Sequence, residues 1–351
     1  MNALDLLIEA VKRKASDLFI IAGKPIAFKI NGNFIYLGEQ ALTPNDTREL
    51  IKGIYALTDG RDASILSESG DDDFSVTIAG VSRFRVNTYV QRGSPAAVLR
   101  IITFDLPNFR DIGIPDIVME LADKKKGLIL VTGTAGSGKS TTLACLIDRI
   151  NKTQDCHVVT LEDPIEYLHQ HQKGIISQRE VETDTKNYIK ALRASFRQAP
   201  DVVLLGEMRD HETISVAMTA AETGHLVLST LHAVGAANTI DRVIDAFPPH
   251  QQSQVRIQLS MVLQAVVSQQ LIHTVYGGIV PAFEIMFVNN AVRNMIRESK
   301  IHQIDSVIHS SAAEGMRTMD ASLLELYKQG IISAKDAVIF SANPEVMSKK
   351  L

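Results

Sequence analysis

The chain has 351 residues, of which 45% are apolar and 22% charged, with a formal net charge of −4. This is the composition of a globular chain with material for two or three domains, and its mild acidity excludes a general attraction to nucleic acid or anionic lipid. Its two cysteines, Cys145 and Cys156, supply neither a disulfide framework nor a four-ligand zinc site and fit a reducing compartment, and no run of eighteen apolar residues is available to span a membrane.

The opening "MNALDLLIEAVKRKASD" sets Asp5 and Glu9 among leucines, with basic residues after them. That order reads as an amphipathic helix rather than a secretory leader. "DLFIIAG", "IAFKI" and "NFIYLG" are short Ile- and Phe-rich runs split by turn residues, hence strands. "TPNDTRELIKGIYALT" reads as a helix with Thr43 as N-cap and Pro44 in the first position. "DFSVTIAGVSRFRVNTYVQRG" alternates around Gly80 like a hairpin. Residues 1–100 thus predict a small α/β domain. Residues 101–126 hold two prolines and a basic run and read as a linker. From Gly127, "GLILVTG", "HVVTLED", "DVVLLGE" and "HLVLSTL" alternate with longer helical stretches, the pattern of a parallel sheet buried on both faces. After Pro248 the chain reads as helical throughout: "SQVRIQLSMVLQAVVSQQLI", "NAVRNMIRESKIHQIDSVIHS", "MDASLLELYKQG" and "SAKDAVIF".

The most specific chemistry lies in Gly133-Thr134-Ala135-Gly136-Ser137-Gly138-Lys139-Ser140, which fits G-x-x-x-x-G-K-[ST] between a strand and a helix. Glycines let backbone N–H groups approach phosphate oxygens, and the following helix points its positive end at the same place. Lys139 can reach β- and γ-phosphates, Ser140 can ligate Mg²⁺ and Thr141 can add an α-phosphate contact. ATP and Mg²⁺ are the expected ligands.

Hydrolysis also needs carboxylates at neighbouring strand ends. Glu207 closes "DVVLLGE" as a Walker B residue would. Glu162, Asp163 and Glu166 follow "HVVTL". His225 and His232 flank a third strand, and His232 reads as a sensor of the γ-phosphate. Arg83, Arg85 and Arg92 crowd the hairpin of the first domain, while Arg193, Arg197 and Arg209 flank the Glu207 strand. An arginine fork suits phosphate and transition-state charge, and which of these arginines acts across a subunit boundary is open.

The blocks "GTAGSGKSTT", "TLEDPIEY", "RQAPDVVLLGEMRD", "AAETGHLVLSTLH" and "AVRNMIRE" together resemble the type II/IV secretion ATPase superfamily, and within it the pilus-retraction ATPases. The resemblance covers nearly the whole chain. It implies an N-terminal PAS-like domain over 1–100, the linker 101–126, a RecA-like ATPase core over 127–280 and a C-terminal helical region over 281–351. It implies a ring of six subunits at the inner face of the cytoplasmic membrane, engaging a membrane-embedded pilus platform protein and no nucleic acid.

By the same resemblance, Lys139 and Ser140 are the Walker A pair. Glu207 is the Walker B carboxylate near Mg²⁺ and water, Glu166 the water activator and His232 the histidine-box residue. Arg83, Arg85 and Arg92 are nucleotide contacts. Helix Asn290–Ser299, with Ala291, Arg293, Asn294, Ile296, Arg297 and Glu298, matches a late signature usually written AIRNLIRE and is the expected coupling element. Phe19, Asn31, Asn33 and Lys126 depart from the common pattern, away from the phosphate site. Extension ATPases of the group usually carry a longer N-terminal region and a four-cysteine zinc element, so the chain reads as a retraction ATPase, with an accessory retraction ATPase, or a pilus-extension or type II secretion ATPase, as the alternatives. More distant readings are a nucleic-acid motor, disfavoured by acidic charge and the lack of Trp, and a non-hydrolysing nucleotide-binding scaffold.

Overall fold

A computed structural model describes residues 2–30, 32–58, 60–102, 106–181 and 183–351. Asn31 lies outside the described residues. The chain divides into two compact units, one of residues 1–105 with 166–168, the other of residues 106–165 with 169–351.

The first unit is an antiparallel sheet with helices on one face. Its strands are β1 (Asp17–Ile20), β2 (Ile26–Ile30), β3 (Asn33–Leu37), β4 (Asp71–Ile78), β5 (Ser82–Gln91) and β6 (Ser94–Ile102), in spatial order β3-β2-β1-β6-β5-β4. Helix Ala3–Lys12 starts on Asn2, whose side chain accepts from the Asp5 N–H, and buries Leu6, Leu7 and Ala10. Helix Pro44–Tyr55 starts as its sequence dictates. The Thr43 hydroxyl and Asp46 carboxylate cap each other's backbone N–H groups, and Pro44 takes the first turn. Both helices cover a core built on Leu18, Phe28, Phe84, Val86 and Leu99. β4 and β5 form the hairpin expected around Gly80.

The second unit holds β7 (Gly127–Thr132), β8 (His157–Glu162), β9 (Ile175–Glu180), β10 (Val202–Leu205), β11 (Leu226–Leu231), β12 (Leu263–His273) and β13 (Ile279–Phe287), in order β13-β12-β7-β11-β10-β8-β9. Every neighbouring pair is parallel except β12 with β13. β7 is buried along its whole length. Leu128 and Leu130 face one core, Ile129 and Val131 the other, so both faces of the sheet are covered.

Two stretches differ from the sequence reading. Within the span read as a linker, helix Asp116–Met119 and the 3₁₀ turn Glu120–Asp123 bury Val118, Met119, Leu121 and Ala122, with Ile114, in the second core. The stretch read as one long helix breaks at Leu263. Residues Pro249–Val262 are helical, but Leu263–His273 is a strand at the flank of β7. Helical spacing of Val255, Leu259, Val262 and Val266 runs straight across that break. A strand buried on both faces shows no alternation to oppose it. β13 extends the same sheet, so the region after 280 begins as a strand and becomes helical only from Asn290.

Candidate active site

Because the parallel strands share one direction, their carboxyl ends share one edge of the sheet. β7 ends there with Thr132 beside Leu231 of β11, and β10 ends with Leu205 beside Leu161 of β8. Glu162 closes β8 at this edge, and the loops leaving it carry the glycine-rich stretch, Glu207, His232 and Asp163.

Gly133, Gly136 and Gly138 adopt φ of 145°, 75° and 86°. A Cβ at Gly133 would collide with the Gln269 carbonyl oxygen and the Ser137 hydroxyl, so both the backbone angle and the space require glycine. Helix Lys139–Thr153 begins at Gly138 with no side-chain cap, and its positive end faces the loop. Lys139 is buried and donates from Nζ to the carbonyls of Gly133 (3.1 Å) and Thr134 (2.8 Å). Thr134, Ala135 and Gly136 are exposed, whereas Ser140 and Thr141 are half-buried in the first helical turn.

A second group forms at the tips of β10, β8 and β11. Glu207 accepts from Arg209 Nε at 2.8 Å, and His232 Nε2 lies 3.4 Å from its other oxygen. Arg209 also reaches Asp163 at 3.5 Å. Its hydrogen bond to Glu207 and the attraction of that carboxylate raise the Arg209 pKa above its ordinary value. The backbone is braced beneath. Tyr188 donates its hydroxyl to Leu161 O (2.6 Å) and accepts from the Glu207 N–H (3.3 Å), and burial pushes its phenol pKa up. Thr230 donates to Gly206 O at 2.6 Å. Glu162 accepts from Thr160 Oγ1 (2.6 Å) and from Gln178 Nε2 (3.3 Å). Glu180 is buried and accepts from the Ile165 N–H (2.9 Å), holding the acidic segment against β9.

The other expected site residues stand on other elements. Glu166 is exposed and belongs to the first unit. There Arg83 and Arg85 share one face of β5 by the two-residue strand period. Arg85 pairs with Asp73 at 2.7 Å, and Arg83 donates to Thr77 Oγ1 at 3.3 Å. Arg92 sits in the β5–β6 turn with φ of 49°, seven residues along and roughly 23 Å from Arg85 at strand rise.

In the second unit, Arg193 pairs with Glu212 at 2.9 Å on the surface. Arg197 is exposed just before Gln198, whose carbonyl meets His157 Nδ1 (2.9 Å) at the start of β8, on the opposite edge of the sheet. His225 precedes β11 on that same far edge, with Nδ1 3.0 Å from Ala220 O and its ring against Phe196. A whole strand, roughly 23 Å at about 3.3 Å per residue, separates it from His232. Helix Asn290–Arg297 follows β13, whose reversed direction brings it to the far edge as well. It buries Val292 and Ile296, exposes Ala291, Asn294, Arg297 and Glu298, and Arg293 donates to Ser260 O at 3.0 Å.

Sequence reasoning missed Gln269, Tyr188, Glu180 and Thr230, which hold the site together. Gln269 lies in the stretch read as helix. The hydroxyls and Glu180 act on backbone groups distant in sequence, which no local pattern records.

Comparisons with known proteins bear on the family of the chain. Residues 3–337 match the family described as type II/IV secretion system protein. The chain is 42% identical to the type IV pilus retraction ATPase PilT of Pseudomonas aeruginosa, across 96% of this chain and 97% of that one. It is 40% identical to the type IV pilus ATPase PilU of the same organism, across 95% and 87%. Its fold superimposes with a TM-score of 0.90 on the crystal structure of the pilus retraction motor PilT with bound ADP, at 46% identity and 99% coverage of both chains. A glycine-rich cradle and a braced carboxylate cluster on one sheet edge, in a chain matching that family over nearly its whole length, place the protein in the type II/IV secretion system protein family.

Proposed function

We propose that the chain is an ATP-hydrolysing motor that powers type IV pilus retraction. The observation that carries this reading is the shared sheet edge, where the Lys139 loop and the Glu207–His232–Arg209 group stand in a chain similar end to end to an ADP-bound retraction motor. The glycine-rich loop binds the phosphates through backbone N–H groups. Lys139 exchanges the Gly133 and Thr134 carbonyls for phosphate oxygens. Ser140 and Glu207 would hold Mg²⁺, partly through water. Mg²⁺ commonly takes most of its ligands from phosphate and water, with one or two from protein. When bound, Mg²⁺ supplies charge neutralisation for the phosphates.

Glu207 and Glu166 orient and activate the attacking water, and His232 reads the γ-phosphate. Arg209 holds Glu207 in place. Arg83, Arg85 and Arg92 supply positive charge from the first unit. Six copies form a ring at the cytoplasmic face of the inner membrane and work on a membrane platform protein, with helix Asn290–Arg297 passing on the motion. No helix among the described residues is long and apolar enough to cross a membrane. ATP drives motion in this scheme by binding one domain arrangement better than another.

The similarity to PilU favours a second reading as an accessory retraction ATPase. Deleting the gene separates retraction from extension. Retraction predicts surplus surface pili with twitching lost, and bald cells would overturn it in favour of extension. Expression in a PilT-deficient Pseudomonas aeruginosa strain restores twitching if the chain is a retraction motor in its own right and fails to do so if it is accessory.

A further inference from the structure

The proposed function uses the glycine-rich loop as an anion cradle, and the inference here rests on that reading. A cradle works only if its peptide N–H groups point inward, and one side chain outside the motif governs that orientation.

Gln269 stands on β12, is 2% exposed and touches the loop at both ends. Its backbone carbonyl presses against Gly133. Its side-chain Nε2 donates to the Ser137 carbonyl at 2.5 Å, and its Oε1 accepts from Thr142 Oγ1 at 2.8 Å. The amide has only one workable orientation. The Ser137 carbonyl can only accept, so nitrogen must face it, and the amide oxygen is left to the Thr142 hydroxyl.

The consequence lies in the peptide joining Ser137 to Gly138. A trans peptide is planar, with its C=O and N–H on opposite sides. Tying the Ser137 oxygen to β12 therefore turns the Gly138 N–H away from β12. Gly138 has φ of 86°, and a Cβ there would lie 3.0 Å from Gln269 Nε2, so the loop is closed around this amide.

We infer that Gln269 is the positioning residue of the phosphate cradle. It aims the Gly138 N–H at the polyphosphate of a bound nucleotide, and Thr142 keeps its amide the right way round. Its neighbours serve other ends. Ser268 Oγ accepts from the Gly235 N–H, and Gln270 Nε2 donates to Phe340 O.

The test uses the full chain with Gln269→Leu, which keeps the shape and removes both hydrogen bonds, and Gln269→Glu, which sets a carboxylate against the Ser137 carbonyl. A backbone donor to phosphate acts alike in ground and transition states, so its loss raises KM and spares kcat. Both variants are expected to raise KM for ATP, and Kd for a fluorescent ADP analogue, about tenfold, with kcat within threefold of wild type, the signature of a donor lost equally from both states. Thr142→Val leaves β12 intact, covering the case in which the Gln269 variants fold poorly, and is expected to move KM the same way by about threefold; Thr142→Ser should restore wild-type values, since it keeps the hydroxyl that orients the amide.

A merely structural role would lower kcat and thermal stability at unchanged KM, and that result would overturn the inference. So would unchanged KM in Gln269→Leu, Gln269→Glu and Thr142→Val. Lys139→Ala is the control for the underlying reading. If it binds the ADP analogue as wild type does, nucleotide binding at this loop is wrong. If it loses binding while the Gln269 variants keep it, only the role of Gln269 falls.

Discussion

Replacing Glu207 by Gln separates a catalytic carboxylate from a structural one by magnitude. Gln keeps the side chain's shape and an oxygen to accept from Arg209 Nε, but it removes the negative charge shared with Arg209 and His232. That ion pair is partly solvated, with the Glu207 side chain 24% and Arg209 64% exposed, and pairs of this kind contribute about 0–1 kcal/mol. Folding stability should therefore change by less than about 1 kcal/mol, a shift of roughly 2–4 °C in melting temperature for a unit of this size. Loss of a positioned group acting on water costs typically 10²- to 10⁴-fold in rate, about 2.7–5.4 kcal/mol at about 1.36 kcal/mol per decade. Phosphate release at saturating Mg²⁺–ATP should thus collapse while a fluorescent ADP analogue still binds and the melting temperature barely moves. Turnover within fivefold of wild type would refute the assignment of Glu207 to the chemistry.

Substitutions at two further residues probe the frame around the site. Tyr188→Phe strips the hydroxyl that joins Leu161 O to the Glu207 N–H; it should cost about 1 kcal/mol in urea unfolding and lower phosphate release, and unchanged values in both assays would show that the bridge is idle. Glu284 is buried on β13 and accepts from the first-turn N–H groups of two helices, at Ala236 (2.6 Å) and Met319 (3.2 Å), so Glu284→Ala should destabilise the second unit by about 2–5 kcal/mol through two orphaned donors and a cavity. Burial raises its carboxyl pKa above the ordinary 4.5. The folded chain then holds this proton to higher pH than the unfolded chain, so the associated stability is full below pH 4.5 and is lost as pH rises through the raised value. Glu284→Gln removes that dependence, and urea midpoints that stay parallel for wild type and Glu284→Gln across the range would contradict it.

What could be read from the chain in advance follows from how local each feature is. The Lys139 loop, the Thr43 N-cap and the Gly80 hairpin are each complete within one short contiguous stretch, and sequence reports them directly. β12 is not local. Val266 and Val267 continue the helical spacing of Val255, Leu259 and Val262, and only the need to flank β7 turns them into a strand. Gln269 was lost with that strand. The histidines are local by contrast. Flanking one apolar run, His225 and His232 read from the sequence as standing at opposite ends of a strand, and β11 has them so. Arg85 and Arg92 differ likewise. One lies on a strand face paired with Asp73, the other in a turn.

The reversal of β13 has a mechanical consequence. The ladder joining it to β12 runs in unbroken register from Ala265↔Phe287 to His273↔Ile279, with helix Asn290–Arg297 anchored at one end and the hairpin at the other. A tug on that helix along the strand axis loads all nine pairs in shear at once instead of peeling them singly. The strip between the two edges of the sheet therefore yields as one unit, and a load applied at either end is borne by the whole ladder at once.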